Sequence, residues 1–161
     1  MKGKALTPQA ASLIKWASTW FGCGLAPVAP GTFGTLGAIP LVWLFGLYGD
    51  IAYIIASIIF IALGILIAQI YEDTLAEAHD PSEFVLDEVA GFLVTMALVP
   101  FTWMHLLAGF LLFRLFDVLK PWPISYIDRE MQGGIGAMCD DLVAGFLASV
   151  VMQALLHWGW L

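Results

Sequence analysis

The chain has 161 residues, of which 61% are hydrophobic and only 12% charged, with a mean hydropathy of +0.90. So little polar side chain cannot cover a water-soluble sphere, and a formal charge of −7 with six basic residues argues against a nucleic-acid partner. Cys23 and Cys139 fit neither a zinc spacing nor a disulfide framework.

Residues 1–28 carry Lys2, Lys4 and Lys15, and no small-residue cleavage site follows an apolar core. They read as an N-terminal cytoplasmic or interfacial segment, not a cleaved leader. Ala29-Pro30-Gly31-Thr32-Phe33-Gly34-Thr35-Leu36-Gly37 is a small-residue loop running into an apolar helix. Backbone N–H groups and the Thr32 and Thr35 hydroxyls there suit a phosphate at a helix N-terminus. By composition the stretch is equally a turn and cap, and no Walker lysine follows. Residues 35–48 are apolar but broken by Gly37 and Pro40, which fits a span, a tilted partial span or a re-entrant element. Residues 51–71 carry no charge and would make a helix about 30 Å long, the clearest transmembrane span in the chain.

The next stretch gathers Glu72, Asp73, Glu77, His79, Asp80 and Glu83. Most of this reads as solvated charge, with His79, Asp80 or Glu83 as candidate outer groups of a site. Residues 85–99 and 103–119, parted by Pro100-Phe101-Thr102, predict a helical hairpin. Residues 141–161 form the last apolar segment, with Trp158 and Trp160 placed as interfacial anchors. His105 and His157 fall toward the opposite face and read as packed or interfacial residues.

These segments predict an all-α, polytopic membrane bundle of four to five apolar helices, forming one domain over residues 1–161. If the N-terminus is cytoplasmic and each segment crosses, Lys2, Lys4, Lys15, Arg114, Lys120 and Arg129 all fall on the cytoplasmic side. The same topology puts acidic helix N-termini on that side and gathers three helix ends there.

Carboxylates are scarce in this chain and costly in hydrocarbon, yet they occur as pairs at the starts of two apolar segments. Asp87-Glu88-Val89-Ala90-Gly91-Phe92-Leu93 and Asp140-Asp141-Leu142-Val143-Ala144-Gly145-Phe146-Leu147 share Val-Ala-Gly-Phe-Leu, which aligns Asp87 with Asp141. Gly91 and Gly145 each lie four residues after the aligned Asp, on the same helical face, where another helix or a substrate can approach. An all-oxygen set of this kind suits Mg²⁺, Mn²⁺ or Ca²⁺ better than zinc. Surface carboxylates favoured by helix N-termini are the plainer alternative.

Phe113-Arg114-Leu115-Phe116-Asp117-Val118-Leu119-Lys120-Pro121-Trp122-Pro123 places Arg114, Asp117 and Lys120 on one stripe of a helix that the prolines end. A guanidinium within an apolar segment needs a carboxylate or a phosphate. The plainer alternative is an Arg114–Asp117 pair with a snorkelling Lys120. A small transporter or channel with an acidic cation site is the competing class. Against it, the acidic pairs gather at one surface and form no ladder across the bilayer.

Taken together, Ala29-Pro30-Gly31-Thr32-Phe33-Gly34-Thr35, Asp87-Glu88-Val89-Ala90-Gly91, the Phe113 to Pro123 run and Asp140-Asp141-Leu142-Val143-Ala144-Gly145 resemble the phosphatidylglycerophosphatase A family of bacterial membrane enzymes. The resemblance implies a largely helical fold and Mg²⁺-dependent removal of the terminal phosphate from the anionic phospholipid phosphatidylglycerophosphate, yielding phosphatidylglycerol. It also implies a site facing the cytoplasm in the bacterial plasma (inner) membrane. Within that frame Asp87, Glu88, Asp140 and Asp141 are expected to hold metal, directly or through water. Arg114 and Lys120 are expected to bind phosphate, Asp117 to orient Arg114 or join the metal, and Thr32 and Thr35 to touch the headgroup. A metal-activated water is the simpler nucleophile, with a carboxylate as the alternative.

Overall fold

The computed structural model describes residues 6–75, 81–131 and 133–161. Glu77, His79, Asp80, Lys2 and Lys4 lie outside the described residues. Among the described residues every regular element is helical. The α-helices are α1 (Pro8–Ser18), α2 (Pro30–Gly37), α3 (Ile39–Gly46), α4 (Asp50–Thr74), α5 (Leu86–Thr95), α6 (Trp103–Leu119), α7 (Ile124–Glu130) and α8 (Gly133–His157), with short 3₁₀ turns at Cys23–Leu25 and Pro81–Glu83.

Local chemistry sets most boundaries. Thr7 caps α1 by accepting from the Ala10 N–H at 3.3 Å, with Pro8 in the first turn. Thr102 caps α6 by accepting from the His105 N–H at 3.1 Å. At its other end α6 stops at Lys120, whose backbone turns left-handed (φ 42°) immediately before Pro121.

Among the described residues two helices are long and apolar enough to cross a bilayer, α4 and α8. On α4 the buried stripe is Tyr53, Ser57, Gly64, Ala68 and Tyr71, spaced at three to four residues or their multiples. The outer face presents Ile51, Ile55, Ile58, Ile59, Leu63 and Leu66. Small residues (Ser57, Gly64 and Ala68) between two buried tyrosines inside, with large aliphatic ones outside, suit a helix that packs on protein along one face and leaves an apolar face outward. The stripe lets α8 approach closely: a Cβ on Gly64 would meet Met138 Cε at 2.7 Å. Gln69 on α4 accepts the Gly134 N–H at 3.0 Å, satisfying an orphan donor at the start of α8.

The hairpin predicted over residues 85–119 is corrected in its first arm. α5 is only 10 residues, about 15 Å, half of a hydrocarbon core. Beyond its acidic first turn it is apolar because protein surrounds it: Leu86, Val89, Ala90, Gly91, Phe92, Leu93 and Thr95 are all buried. Beyond Thr95 the chain unwinds, with Leu98 at φ 59°, and Gln153 of α8 donates to the Ala97 and Leu98 carbonyls at 3.1 and 3.3 Å. Residues 35–48 likewise divide, into α2 and α3 of 8 residues each. The start of the last helix is also corrected. α8 begins at Gly133, so Asp140 and Asp141 lie about two turns inside it, not at its N-terminus.

α5 is the inner post of the bundle, packed on α2, α4, α6 and above all α8. Its contact with α8 centres on Gly91 and Gly145. A Cβ on Gly145 would strike the Gly91 carbonyl, and one on Gly91 would meet the Asp141 carbonyl oxygen at 2.6 Å. Thr95 closes the crossing by donating to Gly91 O at 3.0 Å and Gly145 O at 3.4 Å.

Candidate active site

The C-terminal ends of α4 and α6, the start of α5, Asp128 of α7 and the first turns of α8 converge at one end of the bundle. There they line a cavity of about 660 Å³. Its wall includes Tyr71 and Glu72 from α4, Phe84 and Asp87 before and in α5, Lys120 at the end of α6, Asp128 on α7 and Asp140 on α8. His157, Trp158 and Trp160 close the C-terminal end of the chain, and His105 sits at the start of α6 with Nδ1 2.7 Å from the Pro100 carbonyl oxygen.

Beside this cavity the glycine crossing brings the two aligned aspartates together. Asp87, Glu88 and Asp141 each offer one carboxylate oxygen, and the three atoms lie within 4.8 Å of one another. Asp87 and Glu88 occupy the first turn of α5, where helix N–H groups favour negative charge, and Asp87 Oδ1 accepts the Glu88 N–H at 3.0 Å. Asp117 of α6 comes within hydrogen-bonding reach of Asp141. Arg114, one turn earlier on α6, pairs with Asp117 at 2.5 Å. Four carboxylates thus face one guanidinium in a largely buried space, and carboxylates crowded this closely need a cation or a shared proton. Glu88 Oε2 is buried with no hydrogen-bond partner among the described residues. An orphaned carboxylate oxygen beside two further acidic ligands fits a hard divalent cation bound through oxygen.

Gly31 explains why the small-residue loop must be small. A side chain there would run into the Glu88 carboxylate and come within 3.0 Å of Arg114 Nη1. The first turn of α2 therefore backs directly onto the acidic cluster. Thr35 is fully buried and donates to the Gly31 carbonyl at 2.8 Å, which fixes the turn and does not bring its hydroxyl to the cavity. Thr32 is half-buried in the same turn.

Asp140 points away from its neighbour Asp141. It accepts from Lys120 Nζ at 2.7 Å, and Asp128 accepts from the same ammonium at 2.5 Å. Burial opposes the charge on Lys120, but hydrogen bonds and attraction from Asp128 and Asp140 outweigh it and hold the pKa above the ordinary lysine range. The expected metal set is therefore divided by the structure: Asp87, Glu88 and Asp141 converge, while Asp140 serves the lysine. Arg114 and Asp117 sit in the cluster, and Lys120 faces the cavity. Asp128 carries no sequence cue, because nothing in the local spacing shows that α7 folds back across Lys120. Glu83 is paired with Lys15 at 3.3 Å and anchors α1 to the turn before α5.

A helical bundle with two bilayer-length helices among the described residues, closed at one end around a carboxylate cluster and a cavity-facing lysine, has the make-up of a membrane protein whose polar site lies at one end. The phosphatidylglycerophosphatase A family model matches residues 16–156, and the chain belongs to that family. It is 34% identical over 155 residues to the phosphatidylglycerophosphatase A of Escherichia coli, covering 92% of this chain and 90% of the relative. It is 39% identical over 142 residues to that of Haemophilus influenzae, covering 86% and 85%. A Bacteroides thetaiotaomicron protein provisionally named phosphatidylinositol-3-phosphatase is 35% identical over 150 residues, covering 87% and 91%. No solved structure matches the chain. The family makes this chain a phosphatase, an enzyme of phospholipid metabolism.

Proposed function

We propose that the chain hydrolyses phosphatidylglycerophosphate to phosphatidylglycerol and inorganic phosphate, with Mg²⁺ as cofactor, at the cytoplasmic face of the bacterial plasma membrane. The observation that carries this reading is the convergence of Asp87, Glu88 and Asp141 beside a lysine-bearing cavity. It occurs in a chain whose relatives are named for that reaction. The orientation rests on the basic residues: Lys15, Arg114, Lys120 and Arg129 all fit one cytoplasmic side. In that topology several of the shorter helices complete a multi-pass bundle around α4 and α8.

In this reading Asp87, Glu88 and Asp141 hold Mg²⁺. When bound, the ion polarises phosphoryl oxygens as a Lewis acid and eases deprotonation of water. Lys120 meets the terminal phosphate. Its ammonium has three donors, of which Asp128 and Asp140 take two, leaving the third for a phosphate oxygen. Asp140 fixes the ammonium on the cavity wall. Arg114 holds Asp117 against the cluster and limits its repulsion of Asp141, while remaining close enough to share phosphate charge. Thr32 touches the headgroup from α2, and Thr35 keeps that turn in shape. In the net reaction the water oxygen bonds to phosphorus, the phosphorus–oxygen bond to glycerol breaks, and the glycerol oxygen gains a proton.

The test is phosphate release by purified protein in mixed micelles containing phosphatidylglycerophosphate. Activity should vanish with chelator and return with Mg²⁺. Undiminished release in chelator would refute the metal. A second reading follows the Bacteroides relative, in which the same site cleaves phosphatidylinositol 3-phosphate. Turnover of that lipid without turnover of phosphatidylglycerophosphate would favour it.

A further inference from the structure

Lys120 is held by two carboxylates that differ in their surroundings. Asp140 lies on the long helix α8 with its side chain 11% exposed, whereas Asp128 lies on the short helix α7 with 44% exposed. Both line the same cavity as Lys120, and Asp128 is the more exposed of the two to an anion that enters it. Among the described residues the other charges on that wall, Glu72 and Asp87, are also acidic. Two carboxylates on one ammonium leave a net negative charge where a phosphate has to bind. Lys120 itself is placed by a left-handed backbone turn (φ 42°), a conformation that a non-glycine residue holds only when its surroundings impose it.

We propose that Asp128 sets phosphate affinity by competing with the substrate and product phosphate for Lys120, while Asp140 keeps the ammonium in position. This rests on the reading that Lys120 receives the phosphate. The half-exposed Asp128 pair is the weaker of the two restraints, because water screens it and replaces it when it opens. A phosphate oxygen on the third N–H draws the ammonium toward itself and loosens its contact with Asp128, which tightens again as product leaves. The device moderates binding of a product that a strongly cationic cavity would retain.

The experiment measures inhibition of lipid hydrolysis by inorganic phosphate, together with KM, in the full-length enzyme. Asp128→Asn keeps an acceptor for Lys120 and removes the competing charge. Its inhibition constant for inorganic phosphate and its KM should both fall by roughly three- to fivefold, the range of a weakly exposed ion pair. Asp128→Glu should return both to near the native values, a rescue that a merely structural role would not produce. Asp140→Asn should do the opposite and raise KM. If Asp128→Asn does not fold, Asp128→Ser carries the same expectation. Unchanged or raised constants in a folded, charge-removing variant overturn the proposal. Absence of phosphate release by the native enzyme would instead overturn the functional reading on which it rests.

Discussion

Gly145→Ala tests the crossing that brings the acidic residues together. A Cβ at position 145 would collide with the Gly91 carbonyl, lying 2.9 Å from its carbon and 3.1 Å from Gly91 Cα, where ordinary contact begins at 3.4 Å. The obstacle is backbone, so no side chain can swing aside. Relief requires α5 and α8 to part by roughly 0.5–1 Å. Overpacking of this kind costs about 1–3 kcal/mol of stability. Asp87 and Asp141 ride on the two helices being separated, and a misplacement near 1 Å costs about a hundredfold in rate. The assay pairs thermal unfolding in micelles with phosphate release across a Mg²⁺ titration. Gly91→Ala should behave similarly, since its Cβ would lie 2.6 Å from the Asp141 carbonyl oxygen. Gly46→Ala, with open space around it, should be silent in both assays. Native activity in Gly145→Ala would refute the claim that this contact positions the carboxylates.

Asp141→Asn should lower kcat by at least about a hundredfold and raise the Mg²⁺ concentration for half-maximal activity, because one charged ligand oxygen is lost; normal Mg²⁺ dependence would exclude Asp141 as a ligand. Lys120→Ala should raise KM by roughly tenfold or more, with Lys120→Arg recovering part of the loss, as steady-state kinetics on the lipid will show. The raised pKa of Lys120 also fixes a sign: its ion pairs stabilise the fold fully below the ordinary lysine pKa, and that contribution fades only as pH rises through the higher folded value. Activity and unfolding temperature between pH 7 and about pH 10 should therefore show no transition that Lys120→Arg abolishes.

Much of the bundle was legible because lipid and hydropathy speak the same language. Residues 51–71 were unmistakable, and α4 extends them at both ends. The repeated Val-Ala-Gly-Phe-Leu also foretold a close approach at Gly91 and Gly145, and the structure places the two glycines against each other. What hydropathy does not separate is burial by protein from burial by lipid, which is why α5 reads as a span yet is a short inner helix. The early turns of α8 were hidden for a related reason. Gly133-Gly134-Ile135-Gly136 has the composition of a loop, but Gly134 packs against the backbone of Gln69, where only a small residue fits. Asp140 and Asp141 are adjacent in sequence and divergent in space, since neighbours on a helix point about 100° apart. One serves the acidic cluster and the other the lysine. Asp128 depends on how α7 returns across Lys120, which no short-range pattern records.

Each aspartate of the central pair is separated from its crossing glycine by the same stretch of helix, Asp87 to Gly91 and Asp141 to Gly145. The contact point and the chemistry are thereby locked in phase. Inserting or deleting a single residue in either spacer would rotate a carboxylate by about 100° relative to the contact, swinging it out of the cluster while leaving composition and hydropathy almost untouched. The outer aliphatic face of α4 can accept one greasy residue for another with little consequence. These two spacers admit substitution only within a fixed length, so the count of residues between acid and glycine is itself an element of the architecture.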